Sequence, residues 1–274
     1  MSSAPAAEMI EPFFMGSADH QIFACYHMPA EPARDCGVVI CYPAWQEYIR
    51  SHRACLQLAQ RLARAGFPVL RADYLGTGDS AGDSAAVTLD DWRANLRAAI
   101  SELRDRSGVG SICLVGLRLG ASLAAEIAAS SREITSLVLW DPAVNGKQYL
   151  EETAIEHQEA IMRFLARPKD ALKHATEQRP SELLGFAIGA QMFDQIMAIN
   201  MLAARRSPAA DILVVESHTD EPAKELTNVL LGYGARARHQ HVECFKLWTE
   251  SVDKGLVPLP VLNAIVDWLS EVHQ

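Results

Sequence analysis

The chain has 274 residues, 49% of them hydrophobic and 22% charged, with a formal net charge of −9. That is an ordinary globular composition, and the length suits one large α/β domain, alone or with a cap, that folds without disulfides or metal. The acidic balance argues against a nucleic-acid partner, because polyanions are repelled, but it leaves room for a local basic pocket.

The first residues, Met1 to Pro5, carry no basic n-region, so no signal peptide is expected. No window approaches the roughly 18 consecutive apolar residues of a spanning helix. Cys25, Cys36, Cys41, Cys55, Cys113 and Cys244 are scattered without a CxxC pair. Together these features lead to the expectation of a reduced, cytoplasmic protein with no structural zinc, no metal and no cofactor.

Phe13–Met15 and Ile22–His27 flank a polar turn and predict an opening antiparallel hairpin. Gly37–Tyr42 is a continuous apolar run, as in a strand buried on both faces, and it stops at Pro43. Ala54–Ala65 has helical spacing and ends at Gly66, while Gln46-Glu47-Tyr48 read as loop. Pro68–Asp73 is the next strand, followed by a Gly-rich turn at 76–80. Thr88 to Asp91 has capping-box spacing and opens a helix to about Arg106. The strand Ser111–Val115, the Ala-rich helix 121–130 and the strand Ile134–Trp140 follow. Between Gly146 and Arg206 the pattern is helical, Met-rich and without a convincing strand. The βα rhythm returns with Asp211–Val215, a helix near 223–231, a strand within Ala237–Leu247 and a last helix from Pro260 to Val272. Such alternation predicts a mostly parallel, doubly wound sheet. Residues 1–145 and 207–274 would form the core, with 146–206 a helical cap insertion.

Between strand and Ala-rich helix lies Gly116-Leu117-Arg118-Leu119-Gly120. Two glycines at this spacing let a strand and a helix approach closely and throw the central residue out at a helix N-terminus, the setting of a GxSxG nucleophile elbow. Here the central residue is arginine.

With Ile40 to Tyr48, which is similar to an oxyanion-hole loop, and Asp73-Tyr74-Leu75-Gly76-Thr77-Gly78-Asp79-Ser80, which is similar to the D-x-x-G-x-G-x-S turn, the chain resembles the α/β-hydrolase superfamily in its serine-aminopeptidase-like branch. Its G-L-R-L-G elbow and Leu139-Trp140-Asp141-Pro142 resemble the hydrolases found with bacterial exosortase systems. The resemblance implies an α/β-hydrolase fold and ester, thioester or acyl chemistry. It puts the nucleophile at Arg118, which cannot lose its proton. It puts the acid near Asp220. It puts the base after the strand within Ala237–Leu247, where no histidine stands. Ordinary acyl-enzyme chemistry then lacks a hydroxyl and a base.

Arg118 has two readings. With the Leu119 amide, an amide near Ala44 or Trp45 and the helix dipole, it would form a site for a small anionic ligand. Otherwise it is salt-bridged internally to Asp220, Glu47 or Asp141 and holds the pocket shut. Gln46, Glu47 and Tyr48 stand beside the oxyanion position as substrate or Arg118 contacts. His52 could act as a base, or could simply be a solvated ring at a helix start; His218, beside the acid loop, could approach the pocket. His239 and His241 would line an exposed strand face. Cys41 and Ser122 read as packing residues, and Asp79 and Ser80 as turn hydrogen-bonders. Two functions stay open: an enzyme-like protein acting on or binding a small acid, ester or thioester without a serine nucleophile, and a non-catalytic module for a ligand or a protein. A homodimer is compatible with either.

Overall fold

The structure, a computed structural model, describes residues 9–165, 180–218, 221–249 and 255–274. The opening hairpin forms as expected from β1 (Ile10–Met15) and β2 (Ile22–His27). The central strands are β3 (Cys36–Cys41), β4 (Val69–Ala72), β5 (Ser111–Leu117) and β6 (Ile134–Trp140), every residue of β3 and β4 being buried. With β9 (Asp211–Glu216) and β10 (Arg236–His241) they complete an eight-stranded sheet in the order β1-β2-β4-β3-β5-β6-β9-β10. β1, β2 and β4 pair antiparallel, and every other neighbour is parallel.

Helices follow the parallel strands: α1 (Trp45–Arg64), α2 (Leu89–Ser107), α3 (Leu119–Ser130), α4 (Gly146–Leu165), α5 (Ala190–Met197), α6 (Glu221–Gly232) and α7 (Leu259–Val272). α1 packs with α7, and α2 with α3. They cover opposite faces, because successive strand residues alternate sides. In β6, Ser136 bonds His273 beyond α7, whereas Leu139 shares a cavity with Ser122 of α3. This is the doubly wound sheet that the sequence pattern predicts and the α/β-hydrolase fold that the resemblance implies. No described helix is long and apolar enough to cross a membrane.

Several local signals hold. Thr88 and Asp91 form the reciprocal capping box at the start of α2. Gly66, after α1, adopts φ +92°. Other expectations need correction. α1 begins at Trp45, nine residues before the apolar periodicity starts, so Gln46, Glu47 and Tyr48 lie on a helix and not on a loop. Its buried face carries Glu47 and Ser51 before Ala54, Cys55 and Leu58, and those two polar residues mask the helical pattern. The segment after α4 does contain strands, β7 (Glu182–Leu183) and β8 (Phe186–Ala187), a hairpin too short to read as alternation. β10 ends at His241. Beyond it the chain still runs beside β9, with Val242 N–H donating to Glu216 O and Cys244 N–H to Ser217 O.

Candidate functional site

The site is built where three neighbouring strands, β3, β5 and β6, end. Each is followed by a residue with positive φ that is not glycine: Trp45 at +49°, Arg118 at +53° and Asp141 at +42°. Such conformations cost of order 1–3 kcal/mol each for ordinary side chains and persist only when the surroundings impose them. At Arg118 the surroundings are clear. Its N–H donates to Trp140 O, and its carbonyl accepts from both Ala121 and Ala143. A Cβ on Gly116 would lie 2.5 Å from Ala121 Cα, and one on Gly120 would lie 2.3 Å from Cys41 O. Both elbow glycines are therefore required by close approach of backbone to backbone.

The Arg118 side chain is buried, with 6% of the residue exposed. Its Nε donates to Glu47 Oε1 at 3.0 Å and its Nη2 to Glu152 Oε2 at 3.3 Å. Glu47 is equally enclosed, and its other oxygen accepts from the Tyr149 hydroxyl at 3.0 Å. Glu152 is about half exposed and is steadied by Gln148, one turn earlier in α4. Two aromatic faces complete the cage: the guanidinium carbon lies 4.4 Å from the Trp248 ring centre and 5.4 Å from that of Tyr149. Trp45 stacks on Tyr149 in turn. Burial opposes the charge of Arg118, but Glu47, Tyr149 and Glu152 together outweigh it and hold the guanidinium above its ordinary pKa. Burial also raises the Glu47 carboxyl, while Arg118 and the Tyr149 hydroxyl pull it the other way. With two donors on its two oxygens and an arginine that keeps its proton, Glu47 forms an ion pair.

Over Arg118 the described residues leave a cavity of about 20 Å³, lined by Tyr149, Gln148, Glu152, Pro142 and Pro222 among others. That is room for about one water molecule. Trp248 comes from a short 3₁₀ turn, Leu247–Thr249, after the last strand. It occupies the part of the chain where the hydrolase resemblance puts a histidine. Arg50 donates to the Trp248 carbonyl at 2.5 Å and fixes that turn.

The remaining predicted residues are dispersed. Ala44 is buried and caps α1, and Leu119, also buried, opens α3, where the first amides have no intrahelical acceptor. Gln46 is half-buried. Asp220 lies outside the described residues. His52 sits two turns inside α1, not at its start, and is exposed; its ring stacks on Tyr42 at 5.9 Å and meets the edge of Tyr48. Partial desolvation of the ring, then the charge of Arg71, lowers its pKa. Asp141, the third proposed partner of Arg118, turns away to β9. It accepts from Ser217 N–H at 2.8 Å and Ser217 Oγ at 2.7 Å, with His218 Nδ1 3.4 Å off. His239 is half-buried and bonds Glu216, so it does not lie on a bare strand face as His241 does. Cys41 is fully buried and its thiol pKa is pushed well up. The Ser122 hydroxyl donates to Ala143 O at 2.6 Å, and Ser80 bridges Phe23 N and Asp73 O.

Sequence reading missed Tyr149, Glu152 and Trp248. Gln148, Tyr149 and Glu152 sit at helical spacing at the start of the Met-rich insertion, a signal that could have placed them on one face. Nothing local to Trp248 points at Arg118. Among the described residues, no group of three or more His, Cys, Asp or Glu is placed to hold a metal ion.

Residues 47–219 match the family model described as serine aminopeptidase, S33. An esterase from Pyrococcus furiosus superposes with a TM-score of 0.67 at 15% identity, over 100% of this chain and 96% of that one. Est1E from Butyrivibrio proteoclasticus, solved with ferulic acid bound, gives 0.64 at 18%, over 94% and 98%. Mouse alpha/beta hydrolase domain-containing protein 10 gives 0.58 at 14%, over 96% and 99%. At these identities the structures speak for the fold. No curated protein matches the sequence.

Proposed function

The chain belongs to the serine aminopeptidase S33 family, and on that premise we propose that it is a non-hydrolysing member in which the nucleophile elbow has become an internal charge clamp. It acts as a binding module on a hydrolase scaffold, without acyl-enzyme turnover. The observation that carries this reading is the buried Arg118–Glu47 pair at 3.0 Å, locked by Tyr149 and covered by Trp248. A guanidinium at the turn offers no electron pair for attack, and an indole after the last strand offers no base. We assign residues 146–206 as a helical cap, because Tyr149 and Glu152 at its start close over the elbow. The six free cysteines fit a reducing compartment, and we place the protein in the cytoplasm.

The test is incubation of the full chain with a fluorophosphonate, followed by intact mass, alongside turnover of short-chain p-nitrophenyl esters. Neither adduct nor turnover is expected. R118S is expected to remain inactive as well, because a serine at the turn would still face Trp248. Labelling of the wild-type chain, or esterase activity in R118S, would overturn the reading.

A second reading is favoured by Glu152. It is the more exposed of the two carboxylates and makes the longer contact. A small carboxylate or phosphate could exchange for it on Nη2 of Arg118, beside the amides of Leu119 and Trp45. Titration with acetate and phosphate tests this: saturable binding that tightens in E152Q supports exchange, and no binding in either protein rejects it.

A further inference from the structure

A second cavity, of about 220 Å³, lies behind the elbow helix, between α3, the 3₁₀ turn Met201–Ala203 and α6. Its walls include Ala125 and Ala129 of α3, Leu139 of β6, Ile199, and Leu226 and Leu230 of α6. The two alanines are one helical turn apart and half-exposed, and their small side chains leave the space open. Ser122 lines it as well, but its hydroxyl is committed to Ala143 O. The interior is thus an apolar slot, of the kind that takes small molecules.

Two charged residues also line it. Glu126 is held by Arg93 Nε at 2.8 Å, and the same guanidinium reaches Asp90. Arg206 is exposed and has no ion-pair partner among the described residues. The slot therefore pairs apolar walls with one uncommitted cation at its rim. An apolar cavity of ~150 Å³ holds a benzene ring, so this one takes roughly nine non-hydrogen atoms.

We propose that this slot is a binding site for a small monocarboxylate with an aryl or short alkyl body, the body between α3 and α6 and the carboxylate on Arg206. The site is separate from the Arg118 clamp. It goes beyond the reading of the elbow and does not rest on it: ester turnover tests the elbow, and binding in the slot is read independently.

Isothermal titration of the full chain with sodium benzoate, and with benzamide as its neutral isostere, tests the site. Benzoate is expected to bind saturably and more tightly than benzamide. R206Q is expected to weaken benzoate by roughly tenfold, the loss of a charge-assisted contact, and to leave benzamide unchanged. Ala129→Leu fills the slot and is expected to remove both. Ala125→Leu is the second variant, because Ala125 lines the same wall one helical turn earlier. Absence of saturable benzoate binding overturns the proposal. So does binding that survives both leucine variants, or benzoate affinity that R206Q leaves unchanged.

Discussion

Arg118 and Arg71 are equally buried, each with 6% of the residue exposed, yet the protein accommodates their charges by different means. Arg118 has carboxylates, one buried and one near the surface, and lies against two aromatic rings. Arg71, on β4, has no carboxylate within ion-pair distance among the described residues. Its Nε donates to His27 Nε2 at 2.9 Å and its Nη1 to the Tyr42 hydroxyl at 2.5 Å, both neutral acceptors. The first arrangement sets charge against charge and depends on keeping both partners. The second depends on keeping a histidine unprotonated. One is therefore vulnerable to mutation and the other to acid.

The largest expected effect follows from removing the inner carboxylate. Glu47→Ala leaves the Arg118 guanidinium buried beside a half-exposed Glu152 that makes only the longer contact. Breaking a buried pair from one side costs about 3–5 kcal/mol. Urea unfolding should show that loss for E47A, and much of it should return in the double variant E47A/R118M, where no orphan charge remains. Equal stability of E47A and the wild type would mean that Arg118 is charge-balanced elsewhere.

Acid should act on the other arginine. Burial first, and the neighbouring Arg71 charge second, lower the His27 pKa from 6.5 to about 4. Above 6.5 the ring is neutral in both folded and unfolded chains, and its contribution is whole. As pH falls, the unfolded chain takes up the proton first, so stability declines across the window from 6.5 to about 4 and levels off below it. The full loss from this one group is about 3 kcal/mol. His27→Gln keeps an acceptor for Arg71 without a titrating ring. Its unfolding free energy should depend less on pH than the wild type's across that window, and parallel pH profiles would reject the assignment.

How much of this was legible in the sequence differs between the two arginines for a physical reason. The elbow announces itself locally, because two glycines bracket a turn between a strand and a helix. Glu47 could be named as a partner of Arg118 from its place near the expected oxyanion loop. Tyr149 and Trp248 could not, since they arrive from 31 and 130 residues away along the chain. The start of α1 was hidden for a related reason: Glu47 and Ser51 occupy buried helical positions that apolar periodicity reserves for hydrophobes. Arg71 reads as one charged interruption in an apolar strand. Its acceptors come from β2, antiparallel to β4, and from the residue just after β3, so only sheet order brings them together. Sequence pattern thus gave the frame, and the polar contacts that cross between elements stayed invisible because no local period encodes them.

The two carboxylates on Arg118 allow a finer cut. Tyr149→Phe removes one donor from buried Glu47, and a hydrogen bond to a charged group contributes about 1.5–3 kcal/mol. Glu152→Gln should cost less still. Its side chain is about half exposed and its contact with Nη2 is 3.3 Å, so solvent screens the pair, and exposed pairs contribute about 0–1 kcal/mol. Comparing Y149F with E152Q in the same urea titration therefore ranks the inner contact above the outer one. If E152Q proved the costlier change, the outer carboxylate would be the true counter-ion of Arg118. An anionic ligand could then no longer displace it cheaply, and the clamp would be closed to exchange.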